Sequence, residues 1–343
     1  MKRLRPIRDL TPGELKEWLV ETGQPAFRLK QLGNWAYDKL AIDFESMGNL
    51  PQALRGKLAE SFLPISLAAT KVEQSTDGTT KWLFQLMDGE TIETVLIRAP
   101  GRNTLCISTQ VGCPVRCVFC ASGRDGLIRD LSVGEIVDQV VHATRELGSR
   151  PDNIVVMGMG EPLLNMNHLV LALETICRQD GMGLGFGARH ITISTSGIVP
   201  GILHLAELGR PWNLALSLHA TTDAGRAKLI PPKFRHSLDD VLGACRRYRE
   251  CTGRIVTLEY ALFAGENDSS ENLRQLADIA LSLDAKINLI PCNPTETPHA
   301  APSEEAVSQA LESLQDRGVK ATRRRRKGAE IQAACGQLRR RTG

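Results

Sequence analysis

The 343-residue sequence has few aromatic residues, no run of about 18 apolar residues and no internal repeat. The missing apolar run predicts that no segment spans a membrane. The basic start, MKRLRPIRDL, has no apolar stretch behind it, so we do not expect a signal peptide. The glycine-rich segment 181–190 does not match a P-loop or a dinucleotide fingerprint, and we interpret it as a loop. Aromatic residues make up only 4% of the chain, which leaves few flat rings for stacking.

Nine cysteines are present, and three of them form the cluster C-x₃-C-x₂-C at Cys113, Cys117 and Cys120. We expect a cytoplasmic protein whose thiols are mostly reduced, because disulfides are rare in that compartment. Clustered thiols then indicate a metal centre or catalysis rather than a disulfide framework.

The cluster lacks a nearby fourth cysteine, whereas a structural zinc site needs four ligands. Three thiolates can hold three irons of a [4Fe–4S] cluster and leave the fourth iron open to a chelating molecule. This arrangement resembles that of the radical SAM superfamily. The resemblance implies that the chelating groups are the amino and carboxylate groups of S-adenosylmethionine (SAM), whose reductive cleavage would start radical chemistry. The alternative is a zinc site that borrows a distant cysteine.

The order of predicted elements indicates an α/β fold. Thr11 and Glu14 form a capping box that predicts a helix, and further helical patterns near 26–40 and 51–61 complete a small helical N-terminal module. Apolar and polar residues alternate in KWLFQL and TIETVLI around the turn Asp88-Gly89, which predicts a β-hairpin. Six β-then-α units follow, with strands at 104–109, 153–158, 190–195, 213–219, 255–262 and 286–291. Such a chain forms parallel strands, in a doubly wound sheet or a barrel.

Polar residues and glycines follow these strands, where the active site of a β/α barrel lies. The first strand precedes the cysteine cluster, and the second precedes Gly158-Met159-Gly160-Glu161-Pro162. The next strands end in Ser194-Thr195-Ser196-Gly197 and Ser217-Leu218-His219, and the sixth precedes Cys292-Asn293-Pro294. We therefore expect these residues to meet at one mouth. Gly160 would allow close backbone approach, and the Glu161 carboxylate can accept a hydrogen bond from an ammonium group.

Several stretches together narrow the family. They are IETVLI (92–97), LCISTQVGCPVRCVFCASG (105–123), GMGEPLLN (158–165), ITISTSGIVP (191–200), ALSLHA (215–220), INLIPCNP (287–294) and AACGQL (333–338). The sequence resembles the RlmN/Cfr family of radical SAM RNA adenosine methyltransferases over nearly its whole length. GMGEPLLN and QVGC favour the RlmN branch.

The resemblance implies a role for each of several residues. Cys113, Cys117 and Cys120 would hold the [4Fe–4S] cluster. Contacts to SAM would come from Gly160, Glu161, Ser194, Ser217, Leu218, His219 and Asn293. Cys335 would first accept a methyl group, and a 5′-deoxyadenosyl radical from a second SAM would remove a hydrogen from that methyl. The methylene radical would add to carbon 2 of adenine, with Glu93 as proton acceptor and Cys106 as the partner of Cys335 in a transient disulfide.

The resemblance also implies a domain plan and partners. We expect a helical RNA-binding module at 1–80, a hairpin connection at 81–103, a partial (β/α)6 radical SAM barrel at 104–327 and a C-terminal extension with Cys335 at 328–343. Substrates would be 23S rRNA and tRNA, and electrons would come from a donor such as flavodoxin or ferredoxin. We expect a monomer. Arg28, Lys30 and the run 323–327 are candidate contacts to the RNA backbone, although such a run can also be a solvated face.

Three other functions remain open on sequence alone. A Cfr-like enzyme would methylate carbon 8 of adenine. A zinc-stabilised RNA-binding module would bind RNA without SAM. A radical SAM enzyme could also act on a small molecule, against which Cys335 in its motif and the N-terminal module argue.

Overall fold

The computed structural model describes residues 4–293, 299–334 and 336–339. The strands are β1 (Arg5–Pro6), β2 (Phe62–Leu63), β3 (Leu67–Gln74), β4 (Thr80–Leu86), β5 (Thr91–Ala99), β6 (Arg102–Cys106), β7 (Gln110–Gly112), β8 (Leu127–Asp130), β9 (Asn153–Val156), β10 (Ile191–Thr195), β11 (Asn213–Ser217), β12 (Thr257–Leu262), β13 (Lys286–Pro291) and β14 (Lys320–Arg323). The α-helices are α1 (Pro12–Glu21), α2 (Phe27–Gly33), α3 (Gln52–Ser61), α4 (Val133–Leu147), α5 (Met166–Cys177), α6 (Val199–Leu208), α7 (Asp223–Leu229), α8 (Leu238–Thr252), α9 (Ser270–Leu283) and α10 (Glu304–Asp316). Among these described helices, none is both long and apolar enough to cross a bilayer.

The N-terminal helices form largely as the sequence predicts. The Thr11 side chain accepts a hydrogen bond from the Glu14 amide, and the Glu14 carboxylate accepts one from the Thr11 amide, so the predicted capping box is confirmed. The second predicted helix is not uniform, because α2 continues as a π-helix over Asn34–Asp38. At their junction a Cβ on Gly33 would lie 2.3 Å from the Gly181 carbonyl oxygen, so only glycine permits this close approach to the glycine-rich loop.

A buried ion pair fixes this helical segment to the rest of the molecule. The Arg8 guanidinium donates to Asp138 Oδ1 on α4 at 2.9 Å, and both side chains are almost completely buried. Arg8 also donates to the carbonyl oxygens of Ala36 and Ala41. Asp138 Oδ2 accepts from both the amide and the hydroxyl of Ser66. Because the charges are hydrogen-bonded on several sides, the cost of burying them is largely offset.

The strands β6 and β9 to β13 are the six predicted β/α strands, and they are parallel and consecutive in one sheet. In the described part of the chain this sheet has ten strands, in the order β14-β13-β12-β11-β10-β9-β6-β5-β4-β3. The antiparallel pairing of β4 with β5 confirms the predicted hairpin. The hairpin is part of the main sheet rather than a separate connection.

The main sheet contains two strands that the sequence does not predict, and the short strands β1, β2, β7 and β8 outside it are also unpredicted. β3 lies inside the segment 1–80, for which we expected helices, and β14 overlaps the start of the basic run. β3 reads LAATKVEQ and is mostly exposed, because it is an edge strand that buries little apolar surface. β14 has only four residues, KATR, which is too short for an alternating pattern to stand out.

The strand order also decides between the two expected architectures. A doubly wound sheet reverses its strand order at a switch point. Here each parallel strand lies beside the preceding one without a reversal. Since β/α crossovers are right-handed, successive steps in one direction place the helices on one face and curl the sheet into a barrel. The other face encloses the cavities described next.

Candidate active site at the carboxyl ends of the parallel strands

A cavity of about 170 Å³, here called the inner cavity, lies where the parallel strands end. Most of the residues predicted for the site line it, namely Cys106, Cys113, Cys117, Cys120, Gly160, Glu161, Ser194, Ser217, His219 and Asn293. Leu218 and Glu93 are buried but do not line it. Cys335 lies outside the described residues, although its described neighbours Ala334 and Gly336 are part of the wall.

Glycine packing shapes the loop that carries the three cysteines. Strands β7 and β8 pair antiparallel at its base. Gly112 has a φ of +78°, and a Cβ there would lie 2.0 Å from the Gly126 carbonyl oxygen. The same oxygen accepts a hydrogen bond from the Cys113 amide at 3.0 Å. Further along, a Cβ on Gly123 would lie 2.6 Å from the Cα of Arg116, so this second contact also requires glycine.

The three cysteine side chains fit an iron–sulfur cluster. Burial, followed by the nearby Cys120 thiol, raises the pKa of Cys113 to about 12 and that of Cys117 well above its usual value. Thiolates in such an apolar setting need a strongly positive partner, which cluster irons supply. Among the described residues, no group of three or more His, Cys, Asp or Glu side chains is close enough together to hold one metal ion. A four-iron cluster does not require such a group, because each thiolate binds a different iron.

Glu161 presents a fixed, buried carboxyl group to the inner cavity. Its Oε2 accepts from the Ser196 amide at 2.8 Å, and Oε1 accepts from the Leu163 amide at 3.2 Å. Burial is the main reason that the pKa of this carboxyl is raised, which these hydrogen bonds partly offset. The preceding Gly160 has a φ of +108° and sits against Gln110, where a Cβ would be only 2.7 Å from the Gln110 Cβ. A cation that enters this cavity would meet the carboxylate directly.

Further polar groups come from β10 and β11. The hydroxyls of Ser194 and Ser217 lie 3.3 Å apart on neighbouring strands. His219 Nδ1 accepts from the Ala261 amide at 3.0 Å, so the proton of the neutral ring is on Nε2. Burial lowers the pKa of His219 to about 3, with a smaller contribution from Arg226. The ring is therefore a neutral hydrogen-bond donor. Leu218, between Ser217 and His219 in the sequence, is fully buried and does not line the cavity. The SAM contact expected of it stays a prediction.

The C-terminal segment packs against the cysteine loop. The Ala121 amide donates to the Gly336 carbonyl at 2.8 Å, and the Ser122 hydroxyl donates to the Leu338 carbonyl at 2.6 Å. On the other side, the Arg339 amide donates to Glu93 Oε2 at 2.9 Å. These contacts join the segment that contains Cys335 to the cysteine loop and to the hairpin.

Glu93 is held by a lysine as well as by this segment. Lys81 Nζ lies 3.1 Å from Glu93 Oε1, and both side chains are 1% exposed. The same ammonium lies 3.2 Å from Glu73 and donates to the Gln332 carbonyl. The structure thus brings Glu93 next to the C-terminal segment, while Cys106 faces the inner cavity.

A second, larger space, the outer cavity, adjoins the inner one below the strand ends and holds about 700 Å³. Glu259 and Arg324 line both cavities. Glu259 is not among the residues predicted from sequence, and Arg324 is predicted only as part of the basic run expected to contact RNA. Glu259 could have been noticed, because it is the one charged residue in the apolar strand IVTLEYAL. The outer wall is strongly basic and includes Arg102, Arg323, Arg324, Arg325, Arg326 and Lys327. An anionic substrate would be attracted to this entrance.

Comparison with known proteins first defines the class. The family model of the Radical SAM superfamily matches residues 107–277, which contain the cysteine loop and most of the barrel. A second model, described as the ribosomal RNA large subunit methyltransferase N-terminal domain, matches residues 6–63. A solved structure of a radical SAM methyltransferase from Sphaerobacter thermophilus has a TM-score of 0.94 and 44% identity, covering 98% of this chain and 99% of that one. The fold and the three-cysteine site therefore define a radical SAM protein.

Curated relatives define the branch. A probable dual-specificity RNA methyltransferase RlmN from Symbiobacterium thermophilum is 47% identical over 98% of this chain and 92% of its own length. A protein of the same name from Halalkalibacterium halodurans is 45% identical over 95% of this chain and 91% of its own length. The chain belongs to the RlmN family.

Proposed function

We propose that this protein is a radical SAM RNA methyltransferase. It methylates carbon 2 of an adenosine in 23S rRNA and carbon 2 of the adenosine beside the anticodon in tRNA. The methyl group would pass through an S-methyl group on Cys335. The observation that carries the proposal is one cavity that combines three partly buried thiols, the Glu161 carboxyl and Cys106 with the C-terminal segment packed against it. The names of the relatives support RNA as the substrate class. Such substrates imply a cytoplasmic enzyme.

Cys113, Cys117 and Cys120 would hold a [4Fe–4S] cluster, and the neighbouring polar groups would hold SAM. When bound and reduced by an electron donor such as flavodoxin or ferredoxin, the cluster would supply one electron to SAM, whose cleavage would give methionine and a 5′-deoxyadenosyl radical. Glu161, fixed by two backbone amides, would accept hydrogen bonds from the SAM ammonium. The Ser194 and Ser217 hydroxyls and the Nε2–H of His219 would orient the rest of the cofactor.

The other residues act on the methyl group and its acceptor. Carbon 2 of adenine is electron-poor, so direct transfer of a methyl cation to it is unfavourable, whereas a carbon radical tethered to a sulfur atom can add there. Cys335 would provide the tether, and Glu93 would accept the proton that leaves carbon 2. The adduct would also lose one electron, which would return to the cluster. The Cys106 thiolate would then attack the Cys335 sulfur. The sulfur–carbon bond would break with its electron pair on the methylene carbon, that carbon would take up a proton to become the methyl group, and a Cys106–Cys335 disulfide would remain. The hydrogen bond from the Arg339 amide keeps Glu93 beside the chain segment that carries the tether.

The test is an anaerobic assay of reconstituted protein with SAM, a reductant and RNA fragments, followed by digestion and mass spectrometry. Wild-type protein should form 2-methyladenosine, and Cys335→Ala should form none. Cys251→Ala is the matched control because Cys251 is exposed and outside the site, and it should keep full activity.

Two results would contradict the proposal. Formation of 8-methyladenosine would assign the protein to the Cfr-like reaction. Protein that contains zinc in place of iron and sulfide, and that binds RNA without methylating it, would favour the RNA-binding module.

A further inference from the structure

Glu259 is a buried carboxylic acid at the boundary between the two cavities. It lies in the middle of β12, is 5% exposed, and contributes to both cavity walls. The functions proposed above use the residues nearer the strand end and leave Glu259 without a role. A carboxyl group in such a place is costly unless something binds it.

Two neighbours orient this carboxyl group. Asn288, on the adjacent strand β13, donates from Nδ2 to Glu259 Oε2 at 2.8 Å. The Thr322 hydroxyl on β14 lies 3.4 Å from the Ile287 carbonyl oxygen and 3.5 Å from the Asn288 Oδ1, so the Oδ1 end of the amide faces β14 and the Nδ2 end faces the acid. Within the described part of the chain, Glu259 Oε1 has no hydrogen-bond partner. Oε2 is thus fixed as an acceptor, whereas Oε1 faces the cavities and is available for a hydrogen bond to a ligand.

The surroundings favour the neutral form of this acid. Burial is the main cause of a raised pKa for Glu259, and the opposing effects of Arg324 and Asn288 are smaller. With Oε2 accepting from Asn288, the proton of the neutral acid belongs on Oε1. Its free edge then carries one O–H donor on Oε1 and one acceptor position on Oε2.

We infer that Glu259 recognises the base that is to be methylated, by donating to N1 of adenine and accepting from its N6 amino group. This inference rests on the proposed function and adds to it the residue that selects adenine. Adenine presents an acceptor at N1 beside a donor at N6, which is the complement of a neutral carboxylic acid edge. Guanine presents a donor at N1 beside the acceptor O6 and is mismatched at both positions.

The adenine of SAM has the same N1 acceptor and N6 donor, but the structure favours the RNA base as the partner of Glu259. Asn288 and Thr322, which orient Glu259, line the outer cavity and not the inner one. That outer wall carries the basic run. Arg323 pairs with Glu304 at 2.6 Å and Lys327 lies 3.8 Å from Asp77. Arg325 and Arg326 are exposed on this wall, and no ion pair engages them within the residues that the structure describes. Two cations at the entrance suit the phosphates that flank an extruded nucleotide.

Two substitutions at Glu259 test whether this residue contacts the RNA base or the adenine of SAM, and neither opens a cavity. Glu259→Gln keeps a donor and an acceptor on the same edge, whereas Glu259→Met has a similar volume and neither. Each variant is given RNA fragments with adenosine or with purine riboside, which lacks the N6 amino group, at the target position. The ratio of the two kcat/KM values measures recognition inside one variant and is insensitive to the amount of folded protein. Glu250→Met, at an exposed helix position, is the control.

Wild type and Glu250→Met should prefer adenosine over purine riboside by about ten- to a hundredfold, as expected for one base-edge contact. Glu259→Gln should keep that preference within about threefold, and Glu259→Met should reduce it to about one. The binding of SAM alone should be the same in all four proteins. An unchanged preference in Glu259→Met, or its loss in Glu259→Gln, would overturn the inference. A weakened affinity for SAM in Glu259→Met would assign the contact to the cofactor. If wild-type protein methylates neither RNA, the proposed function itself has failed.

Discussion

Replacing Lys81 with methionine should destabilise the protein strongly, because it leaves Glu93 as a buried charge without its main counter-ion. Lys81 and Glu93 are each 1% exposed, and their charged atoms are 3.1 Å apart. Removing one partner of such a buried pair costs about 3–5 kcal/mol. Lys71 offers a matched control. It pairs at 2.8 Å with Glu73, the second carboxylate near Lys81, but its side chain is 53% exposed. Lys71→Met should cost less than about 1 kcal/mol.

The measurement is urea unfolding at pH 7 for the wild type, both single variants and the double variant Lys81→Met/Glu93→Gln. The double variant should recover at least about half of the stability that Lys81→Met loses, because the unpaired charge is gone. If Lys81→Met falls within about 1 kcal/mol of the wild type, the ion pair does not stabilise the hairpin. If the double variant is as unstable as Lys81→Met, the loss comes from packing rather than from the stranded carboxylate.

Two further predictions concern the site, and a third concerns the burial of a cysteine on α8. Gly112→Ala should lower the iron and sulfide content after reconstitution severalfold, since its Cβ would meet the Gly126 carbonyl oxygen at 2.0 Å. Gly126→Ala is the matched control, because its φ of +74° brings backbone strain like that at Gly112 (φ +78°) but nothing lies within 4 Å of the added Cβ. It should load severalfold better than Gly112→Ala, and equal loading of the two variants would contradict the packing argument. His219 has a folded-state pKa of about 3, below the unfolded value of about 6.5, so the unfolded state binds its proton first as pH falls. Between pH 7.5 and 5.5 the wild type should therefore lose about 1 kcal/mol more stability than His219→Gln, and equal losses in urea unfolding would refute the assignment. Iodoacetamide should label the exposed Cys251 in native protein. Cys245 should react only after unfolding, because its thiol is buried and its pKa is raised to about 12. Labelling of Cys245 in native protein, detected by mass spectrometry, would contradict its burial.

Local signals in the sequence predict much of the fold. The capping box at Thr11 marks where α1 begins, because side-chain oxygens satisfy the free amides of a first turn. The turn Asp88-Gly89 identifies the β4–β5 hairpin. The cysteine spacing and the polar residues after each strand predict a shared site, since parallel strands end at one edge. The positions of Glu161, Ser217 and Asn293 around the inner cavity agree with this reasoning.

Long-range packing explains what the sequence analysis missed. β3 is an edge strand whose pairing with β4 stabilises it more than its own residues do, so its sequence carries a weak signal. The π-helix after Gly33 accompanies the contact with the Gly181 loop, which is nearly 150 residues away in sequence. The ion pair of Lys81 with Glu93 joins two strands through side chains that an alternating pattern treats as ordinary polar positions. Each of these features depends on a partner that is distant in sequence.

The central claim is that the methyl group reaches RNA through a carbon radical on Cys335. The most direct test supplies SAM with a trideuterated methyl group and measures both products by mass spectrometry. Abstraction of one atom from the methyl on Cys335 predicts 2-methyladenosine with two deuterium atoms in its methyl group and 5′-deoxyadenosine with one. A methyl group that keeps all three deuterium atoms, with none in 5′-deoxyadenosine, would show direct transfer and contradict the account.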